Sequence, residues 1–192
     1  MTKFLLIRHA ATEWVGHGLA GRLPGIGLSE SGRTELSSLV TRVEAHGPVD
    51  AVYSSPLERT RETAAALGQA VHIHDAFLEI DYGHWTGRMI ADLEPDEEWR
   101  QYNHFRSTRR IPGGESMLEV QTRVVSAMEH LRALHPEQTV AIVTHADVIR
   151  IAIAHFLGMP LDHLLRLEIG TASVSIVAVS DWDPRLILLN ER

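Results

Sequence analysis

The stretch Lys3-Phe4-Leu5-Leu6-Ile7-Arg8-His9-Ala10-Ala11-Thr12 decides how the rest of the chain reads. Phe4 to Ile7 is an uninterrupted apolar run, the pattern of a strand buried on both faces. It stops at Arg8 and His9, two side chains that a core does not accept without partners. Thr139–Val143 repeats the pattern and runs into Thr144 and His145. Helical periodicity fills the intervals. Ser29 reads as an N-cap, and Leu36, Leu39, Val40 and Val43 then mark one apolar face that ends at Gly47-Pro48. Asp50–Tyr53 predicts a second strand, with Pro56 opening a second helix.

Farther along, Val71–His74 and Phe77–Ile80 predict short strands, and Arg88 to Arg110 predicts helical pieces and loop. Glu115 to His135 predicts a long helix, with Met117, Val120, Val124, Met128, Leu131 and Leu134 along one stripe. A helix over Asp147 to Leu157 and strands over Ala172–Val179 and Leu186–Leu189 complete the pattern. Strands alternating with helices predict an α/β domain, its mixed, mostly parallel β-sheet flanked by helices in a three-layer sandwich. No linker or repeat divides the chain, so residues 1–192 are expected to form a single domain.

Composition narrows the function. Of the 192 residues, 44% are hydrophobic and 22% charged, enough for a packed core. Cysteine is absent, which removes disulfides, thiolate nucleophiles and iron–sulfur ligation. A net charge of −7 argues against nucleic acid as a partner. The apolar runs are too short to span a membrane, and no secretory leader is read, so a cytoplasmic location is expected. Twelve histidines stand out.

In open α/β sheets, ligands sit beyond the carboxyl ends of the strands. The residues just past each predicted strand are therefore informative: Arg8 and His9, then Ser54-Ser55-Pro56 and Arg59, then Thr144 and His145, with Glu79 carried by the Phe77–Ile80 segment. These residue types suit phosphoryl transfer. Two guanidinium groups hold the charged oxygens, a neutral imidazole attacks phosphorus, and a protonated carboxyl serves the departing alkoxide.

Arg8-His9-Ala10-Ala11-Thr12 resembles the Arg-His-Gly signature of the histidine phosphatase superfamily, which includes the cofactor-dependent phosphoglycerate mutases. Ser54-Ser55-Pro56-Leu57-Glu58-Arg59-Thr60-Arg61-Glu62-Thr63 is similar to its second arginine motif. Glu79 with Gly83, Trp85 and Gly87 is similar to its proton-donor segment. Pro112-Gly113-Gly114-Glu115-Ser116, Val143-Thr144-His145 with Arg150, and more weakly Thr171-Ala172-Ser173-Val174 continue the likeness in order. The resemblance implies a phosphoglycerate mutase-like fold, phosphorylation of His9 during turnover, and Glu79 as general acid. It also implies phosphoryl binding by Arg8, Arg59 and His145, further substrate contacts from Thr12, Arg22 and Ala146, and no metal or other cofactor.

The expected partner is a small phosphorylated substrate. The interval from Glu79 to His145 is too short for the insertion that mutases of this family carry, so hydrolysis of a phosphomonoester is favoured. The alternatives are a phosphoglycerate mutase-like phosphotransferase and a weakly active phospho-ligand-binding protein. Departures from the pattern motivate the latter. Ala10 and Ala146 replace glycine, and would be strained if the backbone there required positive φ. Val15 replaces an asparagine, Thr86 an acidic residue, and Gly21-Arg22-Leu23-Pro24-Gly25-Ile26-Gly27-Leu28 is one residue longer than usual.

Other residues invite blander readings. Asp81 and Glu58 are carboxylates near the proposed site and compete with Glu79 for its role. His72 and His74 lack a nearby third ligand and read as exposed strand residues, not a metal pair. Asp92, Glu94, Asp96, Glu97 and Glu98 read as one solvated helical face. His155 reads as packing or surface. Arg106, Arg109 and Arg110 either reach over the pocket toward a distal anionic group or lie solvated. Trp14, Trp85 and Trp99 are divided between pocket and core.

Overall fold

The computed structural model describes residues 1–192. The opening apolar run forms β1 (Thr2–Arg8), and its side chains alternate between the two faces of one sheet. Phe4 and Leu6 join one core cluster, while Leu5 and Ile7 join another. β4 (Thr139–Thr144) does the same, with Val140 and Ile142 on the first side and Ala141 and Val143 on the second. Both strands are central, which is why their runs are continuously apolar.

The remaining strands are β2 (Ala51–Ser54), β3 (Val71–Ile73), β5 (Val174–Val179) and β6 (Arg185–Glu191). Their order is β3-β2-β4-β1-β5-β6. The first four run parallel, and β5 and β6 are antiparallel additions at one edge. Helices α1 (Glu30–Ala45) and α2 (Glu58–Ala65) cover the face of Leu5 and Ile7. Two short helices, α3 (Ile90–Leu93) and α4 (Glu97–His104), precede α5 (Met117–Leu134) and α6 (Ala146–Phe156), which cover the other face. The sandwich is three-layered, as the alternation predicts.

Local chemistry sets the helix ends. Ser29 caps α1 by accepting from the Gly32 N–H at 3.0 Å. Gly32 is required there because a Cβ would collide with the Ala11 carbonyl, which also accepts from the Ser29 backbone. Helix α5 begins later than its pattern suggests: Ser116 and Glu119 form a reciprocal capping box, leaving Glu115 outside. Helix α2 starts at Glu58 with Leu57 as its cap, so Pro56 belongs to the preceding turn.

One expected strand does not exist. Residues 77–80 leave a short 3-10 turn (Asp75–Phe77) and continue as irregular backbone. No strand pairs with them through its backbone: the Thr144 hydroxyl of β4 donates to the Phe77 carbonyl at 2.7 Å, and the carbonyls on either side go to Arg123 of α5. Its guanidinium donates to the carbonyls of Ala76 at 2.6 Å, Leu78 at 2.9 Å and Glu79 at 3.3 Å. Side chains have replaced the ladder. The acidic run is likewise not one helical face, because Asp96 interrupts it as the N-cap of α4. No helix is long and apolar enough to cross a membrane.

Candidate active site

β1 and β4 are parallel neighbours in register, with Arg8 opposite Thr144. The next residue of each strand is therefore a histidine beside a histidine. The His9 N–H donates to the Thr144 carbonyl at 3.0 Å, and the two rings lie 5.3 Å apart between centroids. β2 ends at the same level, with the Ser55 N–H donating to the Val143 carbonyl at 3.1 Å. Three strand ends thus bring together groups far apart in the chain.

A cleft of about 110 Å3 opens here, lined by Arg8, His9, Thr12, Arg59, Glu79 and Tyr82 together with the loop from Trp14 to Gly21. His9 is only 5% exposed. Its Nδ1 is 2.7 Å from the Ala10 carbonyl oxygen. A carbonyl can only accept, so the proton of the neutral ring lies on Nδ1 and the lone pair on Nε2. Burial, then the charges of Arg59 and Arg8, hold the His9 pKa well below the ordinary imidazole value of 6.5. The ring is neutral and its free nitrogen nucleophilic.

The two arginines are anchored yet incompletely satisfied. Arg8 donates through Nη1 to the Ile169 carbonyl at 2.7 Å, and Arg59 through Nη2 to the Gly21 carbonyl at 2.8 Å. Arg8 Nε and Arg59 Nη1 are buried with no partner in the protein. Unpaired buried guanidinium donors are costly, and these two belong to residues lining one cleft beside the nucleophilic ring. An anion with several oxygens satisfies them.

Glu79 is placed and tuned to hold a proton near neutral pH. Its side chain is 14% exposed, and its Oε2 lies 3.7 Å from His145 Nδ1. Burial, then the nearby Asp147 carboxylate, raises its pKa to about 7. Asp81 and Glu58 do not line the cleft. Asp81 instead accepts from the Gly83 N–H, and Glu58 from the Gly25 N–H.

His145 is fully buried and stands behind the cleft wall. Its Nδ1 is 3.3 Å from Arg59 Nη2 and its Nε2 is 3.0 Å from Ser55 Oγ. Since Arg59 can only donate, Nδ1 accepts and Nε2 donates to the serine in this arrangement. Burial, then Arg59 and His9, keeps this ring neutral as well.

Several expectations are corrected. Arg22 does not reach the cleft: its Nε donates to the Glu79 carbonyl at 2.8 Å and its Nη2 to Glu115 at 2.9 Å. Ala146 opens α6 and does not line the cleft either. Thr12 does line it, buried, its Oγ1 accepting from the Trp14 N–H at 3.3 Å. Neither Ala10 nor Ala146 has positive φ, so alanine is unstrained at both. Arg106 is neither solvated nor over the pocket. It is buried and donates to Asp147 at 3.0 Å, while Arg110 pairs with Glu119. Of the tryptophans, Trp14 lines the cleft and Trp85 belongs to the core, with Trp99 packed against it. His72 and His155 are exposed, and His74 Nδ1 caps the 3-10 turn by accepting from the Ala76 N–H.

Sequence reasoning missed the supporting shell. Asp147 accepts from Arg150 at 2.7 Å, from Arg106, and from the Tyr82 hydroxyl at 3.2 Å. Burial opposes its ionisation, but Arg106 and Arg150 outweigh this and hold its pKa at about 2. Glu115 accepts from Arg22, Arg123 and the Asp81 N–H, and so fixes the backbone that presents Glu79. The sequence marks Glu115 and Arg150 only as members of motifs and Asp147 only as the start of a helix, with no sign of the pairing between them and their partners.

The model of the histidine phosphatase superfamily, branch 1, matches residues 4–192. The chain is 30% identical to phosphoserine phosphatase 1 of Hydrogenobacter thermophilus, across 99% of this chain and 92% of that protein. A mycobacterial glucosyl-3-phosphoglycerate phosphatase in complex with VO3 superposes with a TM-score of 0.89 at 27% identity, covering 99% of each chain. The alpha-ribazole phosphatase of Shigella flexneri gives a TM-score of 0.84 at 26% identity, covering 98% of this chain and 96% of that one.

Proposed function

Since the chain belongs to the histidine phosphatase superfamily, branch 1, we propose that it hydrolyses a small phosphomonoester through a phosphohistidine on His9, without a metal, residues 1–192 acting as one catalytic domain. The observation that carries this reading is the His9 ring itself. Its Nδ1 is tied to the Ala10 carbonyl, and it lines one cleft with two arginines that keep unpaired donors.

In the first step, His9 Nε2 attacks phosphorus as the bond to the ester oxygen breaks. Glu79, protonated, gives its proton to the departing alkoxide. Arg8 and Arg59 hold the equatorial oxygens, where charge develops; losing one such donor typically costs about 2.7–4 kcal/mol of barrier. Thr12 adds a hydroxyl to the same wall. In the second step, Glu79, now a carboxylate, takes a proton from water as that water attacks the phosphorus. The P–N bond breaks, inorganic phosphate leaves, and both residues return to their starting states.

His145 holds Arg59 from behind, and Ser55 holds His145. Direct contact of His145 with a phosphoryl oxygen requires that oxygen to replace Arg59 on its Nδ1 and the ring proton to move from Nε2 to Nδ1, with Ser55 then donating to Nε2.

The test is hydrolysis of an aryl phosphate by purified protein with a chelator present, against His9→Ala. Turnover by the wild type, none by the variant, and an acid-labile, base-stable phosphoryl adduct are expected. Activity retained by His9→Ala removes His9 from its role.

A further inference from the structure

The cleft wall beyond the reacting centre carries a preference of its own. We propose that the substrate's alcohol is uncharged and apolar or aromatic, with no carboxylate or second phosphate beside the reacting phosphoryl group. This deepens the phosphatase reading above and rests on it. Among the lining residues, the charged or ionisable side chains are Arg8, His9, Arg59, Glu79 and Tyr82. Away from the first four the wall is formed by Trp14, Val15, Leu19, Ala20 and Tyr82 with intervening glycines. The Tyr82 hydroxyl is already committed to Asp147.

The other arginines of the surrounding segments do not line the cleft, and most are paired with carboxylates. Arg22 and Arg123 are held by Glu115, Arg106 and Arg150 by Asp147, and Arg88 by Asp96. Arg109 and Arg110 do not line the cleft. The only lysine, Lys3, lies near the start of β1, whereas the site is at its end. The two lining arginines match a phosphoryl dianion. A second anion would be desolvated against aliphatic and aromatic side chains with no cation to meet it.

The apolar wall is also rigid. A Cβ at Gly18 would lie 3.0 Å from two ring carbons of Trp14, so the indole rests on the Gly18 backbone. The Trp14 carbonyl accepts from the N–H groups of His17 and Gly18, both at 3.1 Å, and its own N–H donates to Thr12. A fixed, partly exposed indole beside Val15 and Leu19 offers a stacking surface to an uncharged organic group.

The experiment compares kcat/KM for glycerol 3-phosphate, 3-phosphoglycerate and benzyl phosphate. The first two match in size and differ in a hydroxymethyl group against a carboxylate. At least a tenfold preference for glycerol 3-phosphate over 3-phosphoglycerate is expected, with benzyl phosphate best. Trp14→Ala is expected to reduce benzyl phosphate turnover tenfold or more and glycerol 3-phosphate turnover much less, a split that general damage to the fold would not produce. Val15→Arg is expected to narrow or reverse the discrimination against 3-phosphoglycerate. Equal or preferred turnover of 3-phosphoglycerate by the wild type overturns the inference while leaving the phosphatase reading intact. Inactivity toward all three esters overturns the phosphatase reading and this inference with it.

Discussion

Replacing Glu79 with glutamine should abolish proton donation and at the same time stabilise the fold at alkaline pH. Burial and the Asp147 charge raise the Glu79 pKa from an ordinary 4.5 to about 7. Between those two values the unfolded chain has released this proton and the folded protein has kept it, so stability falls as pH rises. At about 1.4 kcal/mol per pH unit the loss reaches about 3 kcal/mol. The stabilisation is fully present below 4.5 and gone above about 7. Glutamine has no proton to lose, and its amide oxygen can still accept from the Ile80 N–H, which Glu79 Oε1 does at 3.0 Å.

Urea denaturation followed by tryptophan fluorescence from pH 4.5 to 8 measures the effect. Glu79→Gln should match the wild type at the acidic end and exceed it by about 3 kcal/mol at pH 8. Its kcat on an alkyl phosphate should fall by about 10²–10⁴, and less on an aryl phosphate whose leaving group needs no proton. Wild-type kcat on the alkyl ester should decline as pH rises through about 7. A stability difference independent of pH, or a variant less stable than wild type at pH 8, would refute the assignment of a raised, proton-holding carboxyl.

The supporting shell yields further outcomes. Asp147→Asn leaves buried Arg106 and half-buried Arg150 without their counter-charge and should cost about 3–5 kcal/mol in urea denaturation. In the same variant the alkaline fall in kcat should begin at lower pH, because a negative charge that raises the Glu79 pKa has gone. Glu115→Ala frees Arg22, Arg123 and the Asp81 N–H, and should lower kcat through Glu79 misplacement with a smaller change in KM, as steady-state kinetics will record. Ala10→Gly should destabilise by about 1–2 kcal/mol in thermal or urea unfolding, because Ala10 has ordinary φ, its methyl is packed in the core, and glycine also adds unfolded-chain entropy.

The sequence by itself determined the layered fold and, through its motifs, pointed to five residues, His9, Arg8, Arg59, Glu79 and His145. Those depend on signals written over a few neighbouring residues: continuous apolar runs at β1 and β4, the 3.6-residue stripe of α5, the Ser29 cap, and polar groups at strand ends. Parallel pairing of β1 with β4 then made the meeting of His9 and His145 a matter of register.

Tertiary structure alone decided which charges are free. Arg22 and Arg106 looked available in the sequence, yet Glu115 and Asp147, 93 and 41 residues away, hold them. Residues 77–80 have the composition of a strand, but pair with no strand backbone and give carbonyls to the side chains of Thr144 and Arg123. Pairing of buried charge and satisfaction of backbone groups are long-range constraints. The local pattern around each residue carries no record of the partner that meets them.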